Sequence, residues 1–396
     1  MSLSVRIGRE GNWFGSSLVV AVGVIVLLTN FLVPTLVGVY VDSYGLSIGE
    51  AGYTAAVYMT GAGTGAVLAS WLLLPVRTPI LLAVGLGALA LGNLASIFAH
   101  SFETILAVRL VAGLGEGASF ALMGAGVSRM SNPNRVYGIF MVVMLLMAAT
   151  LQYCIPWLRS TLGPQMLFVP IAVAPACVLP LVGKFPNLSA SGRSLRIGAA
   201  RCTERSSGPY FWSGILATLV VYIAYGGGFA YIERIGVHTG IAADTVAGML
   251  GMGYLISVGG ALATILTANL RGRAWKISIS LLVVAGATLL TIAGNPLAFR
   301  IGVTALFFSW YYFAPNLLGL MALADPSGRL AAAVTGAMEW GLAIGPAVAA
   351  LWVRDGSFTV VAVMGVSGFL LAMLLLVPVL RHVSQIEEIT PTPALA

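Results

Sequence analysis

Two glutamates and one arginine stand where this sequence can least easily hold charge. Glu116 and Glu339 fall well inside long apolar stretches, and Arg109 precedes Glu116 on the same stretch. An ionised side chain at the centre of a bilayer-spanning helix costs at least about 2.5–3.5 kcal/mol on insertion scales, so each asks for a purpose. In the run RLVAGLGEGASFALMGAG (109–126), the spacing puts Arg109 and Glu116 on one helix face, about 10 Å apart along the axis. On one reading that face lines a wet cavity, where Arg109 attracts an anionic group and Glu116 binds a proton or a cation. On the other it is a buried pair that only fixes packing. Gly113 and Gly117 have the small-xxx-small spacing that lets a neighbouring helix approach closely. Glu339 lies in VTGAMEWGLAIGPAVAALW, near a bend expected at Pro346. It reads as a proton carrier, or as a carboxyl held neutral by a hydroxyl or backbone partner.

Aromatic residues gather at similar depth. Trp310, Tyr311, Tyr312 and Phe313 precede Pro315 and Asn316, while Tyr222, Tyr225 and Tyr231 surround the triplet Gly226, Gly227 and Gly228. Adjacent glycines weaken a helix, and a broken helix beside tyrosines is expected to form a gate or a binding surface. Tyr40 and Tyr231 read as interfacial anchors. Asn30, near Pro34, and Gln152 are expected to add to a polar lining.

The elements that must position these residues follow from composition. The 396 residues are 59% hydrophobic and 8% charged, and mean hydropathy is +0.98. A chain of this kind belongs in a bilayer. Apolar stretches of about 20 residues recur between short polar breaks, and lipid leaves backbone groups no outside partner, so they are helices. The expected spans are 15–40, 49–73, 78–99, 103–128, 136–157, 164–183, 210–232, 243–268, 274–293, 297–323, 329–352 and 358–381. Arg6 and Arg9 precede the first, which is longer than a signal peptide's apolar core. The reading is an all-α integral membrane protein of about twelve transmembrane helices in two pseudo-symmetric six-helix bundles. Residues 1–183 and 209–396 form the bundles, and the basic stretch 184–208 with Lys184, Arg193, Arg196, Arg201 and Arg205 links them. Placing both termini in the cytoplasm puts most Arg and Lys on that side of a cell inner membrane. The formal net charge of +7 is then mostly topology.

Other chemistries find little purchase. Cys154, Cys177 and Cys202 are unclustered, and His100, His238 and His382 sit at helix ends, so no disulfide framework, metal site or cofactor is expected. Walker, HExxH and GxSxG motifs are missing, and no basic patch interleaved with aromatics on a soluble domain suggests nucleic acid. An enzyme is therefore not expected. The glycine-rich GAGTGA (61–66) reads as helix packing rather than a phosphate loop.

The halves look duplicated. Tyr40, Asp42, Gly45 and Gly49 fall opposite Tyr231, Glu233, Gly236 and Gly240 at an interval of about 191 residues, which also pairs Arg109 with Arg300 and Glu116 with Phe307. The loops SNPNR (131–135) and DPSGR (325–329) match at an interval about three residues longer. Six plus six helices, a basic central loop and RxxxGxGxG at Arg109, Gly113, Gly115 and Gly117 resemble the major facilitator superfamily over essentially the whole chain. The resemblance implies a role in proton coupling for Arg109. There are departures. The loop between the second and third helices, WLLLPVRTP, keeps only Arg77 of the family's acidic and basic signature, and TANLRGRAW keeps Arg271 and Arg273 without the acid. The fifth helix lacks the GxxxGP of drug/proton antiporters.

Of a transporter, a membrane enzyme and a sensor built on a transporter fold, the buried charges and the duplication favour the first. Secondary transporters place substrate at the seam of such repeats. The expected function is proton-coupled uptake of a small organic acid or aromatic compound by a monomer in the bilayer, with proton-coupled efflux of an amphipathic, drug-like compound as the alternative. Arg109, Asn30, Gln152, Tyr225, Trp310, Tyr311, Tyr312 and Asn316 are the expected substrate contacts. Glu116, Glu339 and Arg109 are expected to couple the proton.

Overall fold

The computed structural model describes residues 13–73, 75–127, 130, 133–186, 208–267, 272–325, 329–353 and 357–389. Most of the basic linker, and much of the SNPNR and DPSGR loops, lie outside them. Among the described residues every regular element is helical. The chain divides into two compact units, Met1–Ala200 and Arg201–Ala396.

In unit 1 the helices are α1 (Trp13–Tyr44), α2 (Ile48–Leu72), α3 (Thr78–Ala95), α4 (Phe102–Val127), α5 (Pro133–Leu162) and α6 (Phe168–Val178), the last flanked by 3-10 turns Pro164–Leu167 and Leu179–Lys184. Unit 2 holds α7 (Pro209–His238), α8 (Ala243–Leu266), α9 (Arg273–Thr291), α10 (Pro296–Ala324), α11 (Arg329–Trp352), α12 (Thr359–Leu375) and α13 (Val377–Ile389). Eleven of these segments are long and apolar enough to cross a membrane. The twelfth, α2, has the length but is filled with Gly, Ala and Thr, which lowers its hydropathy.

Local chemistry sets the ends. Ser47 and Glu50 form a capping box at α2: the Ser47 hydroxyl accepts from the Glu50 N–H at 3.2 Å, and the Glu50 carboxylate accepts from the Ser47 N–H at 2.8 Å. Asn295 caps α10, accepting from the Leu297 N–H at 2.8 Å ahead of Pro296 at the first helical position. The expected last span divides at Leu376, and the Ser213 hydroxyl donates to the Leu375 carbonyl at 2.7 Å beside that break.

Within each unit the same pairs of helices meet. α2 packs on α4, α3 on α4, α1 on α5 and α3 on α6; in unit 2, α8 packs on α10, α9 on α10, α7 on α11 and α9 on α12. The α2–α4 contact runs backbone on backbone. A methyl at Gly117 would collide with the Ala62 carbonyl, one at Gly113 with the Tyr58 carbonyl, and one at Gly61 would lie 2.6 Å from the Leu110 carbonyl. These small residues do the packing that Gly113 and Gly117 suggest.

The repeat register differs from the sequence count. Gly65 meets the Leu114 carbonyl just as Gly260 meets the Phe308 carbonyl, so equivalent positions on α4 and α10 stand about 194 residues apart (308 against 114). The left-handed turn glycines Gly45 and Gly240, at φ 70° and 86°, follow the same longer interval. α7 continues to His238, past the end expected near residue 232, just as α1 continues to Tyr44, past 40, and the two helix ends keep the same longer interval. Glu233 and Arg234, expected outside the helix, are therefore inside it and buried, Arg234 donating to Glu233 at 2.5 and 2.8 Å. In this register Arg109 answers to Val303 and Glu116 to Trp310. The earlier pairings with Arg300 and Phe307 are thus corrected: Arg300 is exposed, and Phe307 occupies the place of Gly113.

Gly117→Ala should lower the thermal unfolding temperature, reflecting overpacking of about 1–3 kcal/mol. Gly87→Ala, whose new methyl meets nothing, should not. Equal unfolding temperatures for the two variants in the same detergent would refute the close-packing account.

Candidate functional site

In unit 1, α4 carries both charged groups into the interior, and each is 2% exposed. The Tyr58 hydroxyl, from α2, donates to Glu116, and Asn30 Nδ2, from α1, donates to the same carboxyl at 3.5 Å. Arg109 turns toward α3. Its terminal nitrogen donates to Asn93 Oδ1 at 2.6 Å, Ser96 Oγ at 3.0 Å and the Gly92 carbonyl at 3.4 Å. The guanidinium also lies 5.4 Å from the Tyr58 ring centre and 5.3 Å from that of Phe168, within cation–π range. Arg109 Nε has no hydrogen-bond partner among the described residues. The guanidinium is thus enclosed by its own unit. A small void lined by Val33, Leu36, Val37, Tyr40, Thr54, Ala55, Tyr58 and Arg109 adjoins it, with room for about one water molecule.

Asn93 and Gln152 organise the surroundings. Asn93, fully buried, donates to Thr29 Oγ1 at 3.2 Å and the Ile171 carbonyl at 2.9 Å while accepting from Arg109, so it ties α1, α4 and α6 to α3. Gln152 on α5 accepts from the Thr35 hydroxyl at 3.1 Å and donates to the Phe31 carbonyl at 3.3 Å. Both contacts flank Pro34, which lacks the N–H that would continue the α1 ladder. Gln152 therefore braces α1 at its proline, one turn from Asn30.

Unit 2 fills the equivalent place with rings. Trp310, at the position answering to Glu116, stacks on Tyr225 at 3.5 Å and 6° between planes, and meets Tyr222 edge-on at 5.0 Å. Tyr225 also stacks on Phe229 at 5.4 Å, and Tyr254 packs edge-on against Phe307 at 5.0 Å. Tyr311 lies within electrostatic reach of the hydroxyls of Tyr222, Tyr225 and Tyr254, and Glu339 on α11 within reach of Tyr222. Glu339 is half-buried and makes no hydrogen bond to another described residue.

Tyr312 is set apart from this cluster. Its hydroxyl shares a hydrogen bond with Thr267 Oγ1 at 3.0 Å, and its carbonyl accepts from Asn316 Nδ2 at 2.8 Å. Lys276, 2% exposed, donates to the Thr267 carbonyl, the C-cap of α8, where a cation complements the helix dipole.

The glycine triplet does not break α7, contrary to expectation. The helix is continuous, Gly226 and Gly227 face the α11 backbone at Leu342 and Gly345, and a methyl at either would press on those atoms. α11 likewise continues through Pro346. Among the described residues no three His, Cys, Asp or Glu side chains gather as a metal site.

A family model described as Major Facilitator Superfamily matches residues 18–338. The chain belongs to the major facilitator superfamily. Solved structures of similar fold include a D-xylose-proton symporter, at TM-score 0.67 and 15% identity, covering 93% of this chain and 99% of that one. The xylose transporter XylE from E. coli, inward open, gives 0.69 and 14%, covering 94% and 98%. A structure from work on proton dependent oligopeptide transporters gives 0.72 and 13%, covering 95% and 99%. At such identities these likenesses establish the fold alone. No curated protein matches the chain. This superfamily member is a multi-pass membrane transporter, and the finer reading rests on its own residues.

Tyr58, Asn93, Tyr254 and Lys276 were not singled out from sequence. Tyr58 has a signal, since Tyr58, Gly61, Ala62 and Gly65 share one helix face. Gln152→Leu should remove the side-chain donor to the Phe31 carbonyl and the acceptor of the Thr35 hydroxyl. The expected cost is about 1–3 kcal/mol, read as a lowered unfolding temperature. No change would free Gln152 of the bracing role.

Proposed function

We propose that this transporter carries a small aromatic solute together with protons, by alternating access, with proton binding in unit 1 and solute recognition in unit 2. The observation that carries the reading is the equivalence of Glu116 and Trp310. One repeat keeps a carboxyl between a tyrosine and an asparagine, and the other keeps an indole among tyrosines. Rings with hydroxyl edges bind flat solutes by stacking and orient them by hydrogen bonds. Glu339 beside Tyr222 supplies a second carboxyl that can exchange a proton within the solute-binding unit.

Arg109 keeps the coupling role in this reading and gives up the solute carboxylate. Asn93, Ser96, Gly92 and two ring faces already enclose it within unit 1, and a ligand would have to displace some of them. That favours an aromatic compound over an organic acid defined by its charge. Uptake, an inner-membrane location, cytoplasmic termini and function as a monomer complete the reading; the excess of Arg and Lys in alternate loops supports the orientation.

A second reading is efflux of an amphipathic cation. The observation favouring it is the half-buried Glu339 within electrostatic reach of Tyr222, a combination that suits a cation. Reconstitution into liposomes with benzoate, phenethylamine and benzyl alcohol as anionic, cationic and neutral aromatic probes separates the two. Uptake driven by an inward proton gradient supports the first reading. Phenethylamine movement against that gradient supports the second, and the absence of any proton-linked flux across a wider aromatic panel sinks both.

Two variants test the assignment. Trp310→Ala should raise the half-saturating concentration of the transported probe by about tenfold, the worth of one lost stacking surface. Glu339→Gln should abolish gradient-driven accumulation while exchange across the membrane persists, because exchange needs no net proton release. Unchanged accumulation would return Glu339 to a packing role.

A further inference from the structure

Tyr58 stands between the two charged residues of α4 and touches both. Its hydroxyl donates to the Glu116 carboxyl, and its ring lies under the Arg109 guanidinium at 5.4 Å. The side chain is 1% exposed, so neither contact is shared with solvent. It enters from α2 at the level where the Tyr58 carbonyl itself abuts Gly113, so the helix contact that needs Gly113 also fixes the Tyr58 backbone.

We propose that Tyr58 is the positioning residue of the unit 1 proton site, tying the protonation state of Glu116 to the seat of Arg109 through one side chain. The proposal rests on the reading that Glu116 binds a proton. An ionised Glu116 accepts a charge-assisted hydrogen bond from the phenol, which holds the ring flat beneath Arg109. When Glu116 takes up a proton that bond loses its charge assistance, and the ring is held in this orientation less firmly. Arg109 then keeps only the contacts of one terminal nitrogen with α3 and the Phe168 face, because its Nε has no partner among the described residues. A proton on α4 is thereby felt at α3 and α6 without Glu116 and Arg109 needing to touch.

The surroundings leave few other ionisable groups to do this. Among the described residues, α2 contributes Tyr58 and α1 contributes Tyr40 and Tyr44, both within electrostatic reach of Arg109; α4 carries Arg109 itself, and α3 presents neutral Asn93 and Ser96. The equivalent place in unit 2 lacks the device, since Trp310 stands for Glu116 and Val303 for Arg109.

The test needs no transported solute, because the probe is the proton. Full-length protein in lipid nanodiscs is titrated while infrared difference spectra follow carboxyl and tyrosine bands, with Glu116→Gln identifying the Glu116 carboxyl band. Tyr58→Phe keeps an aromatic ring at this position and removes only the hydroxyl. The expected result is a Glu116 carboxyl band displaced to higher frequency by loss of its donor, a moved titration midpoint, and loss of the tyrosine band change that accompanies titration in the parent protein. In a Glu116→Gln background, Tyr58→Phe should add no further spectral change with pH. A Glu116 band and midpoint unaltered by Tyr58→Phe would overturn the positioning role while leaving proton binding intact. A Glu116 that never titrates would overturn both, and the unfolding temperature of each variant separates these outcomes from misfolding.

Discussion

The approach of α2 to α4, backbone against backbone, is the constraint on which the rest of unit 1 depends. With no water in the bilayer core to drive helices together, contact is won by small residues that let two backbones meet over a long face. Gly61, Gly65, Gly113 and Gly117 supply that face. Because the contact admits no side chain, the polar residues that flank it have their distances set by the helices rather than by their own flexible chains. Tyr58 reaches Glu116 for this reason, and Arg109 is left to turn toward Asn93 on α3.

The two units show how a duplicated plan diverges without losing its frame. Helix pairings are the same, and Gly260 repeats on Phe308 what Gly65 does on Leu114. What changes is the content of one niche. A buried carboxyl needs donors, which Asn30 and Tyr58 provide; a buried indole needs faces, which Tyr222 and Tyr225 provide. Exchanging one kind of filling for the other takes several linked substitutions on three helices, so each niche is internally consistent rather than a variant of its twin.

Much of this was legible in the residue order, and the physical reason differs case by case. Glu116, Glu339 and Arg109 announce themselves because charge within an apolar run is costly. Membrane helices, and their number, follow from hydropathy alone, with α2 the exception because glycine and alanine pack well yet score poorly. Tyr58 and Asn93 escaped notice because a single tyrosine or asparagine in a membrane helix has many ordinary uses; only the partner across the interface distinguishes them. The glycine triplet misled, since glycine can loosen a helix or let a neighbour lie against it, and the choice is made by α11 rather than by α7. The repeat register misled for a related reason. Tyr40 and Tyr231 suggest one interval, whereas the helix ends at Tyr44 and His238 and the close contacts of Gly65 and Gly260 follow a longer one that residue types alone do not mark.

Helix length has a bearing on the lipid. At 30 residues α7 is about 45 Å long, and α1 at 32 residues is similar, whereas α3 and α9, at 18 and 19 residues, are close to the roughly 30 Å thickness of hydrocarbon. Helices of such unequal length can share a bilayer only if the long ones tilt or stand proud of it. Near the end of α7, Glu233 and Arg234 are buried and paired with each other. A helix end whose charges are already paired inside the protein tolerates a change of bilayer thickness at lower cost than one that must carry them into hydrocarbon.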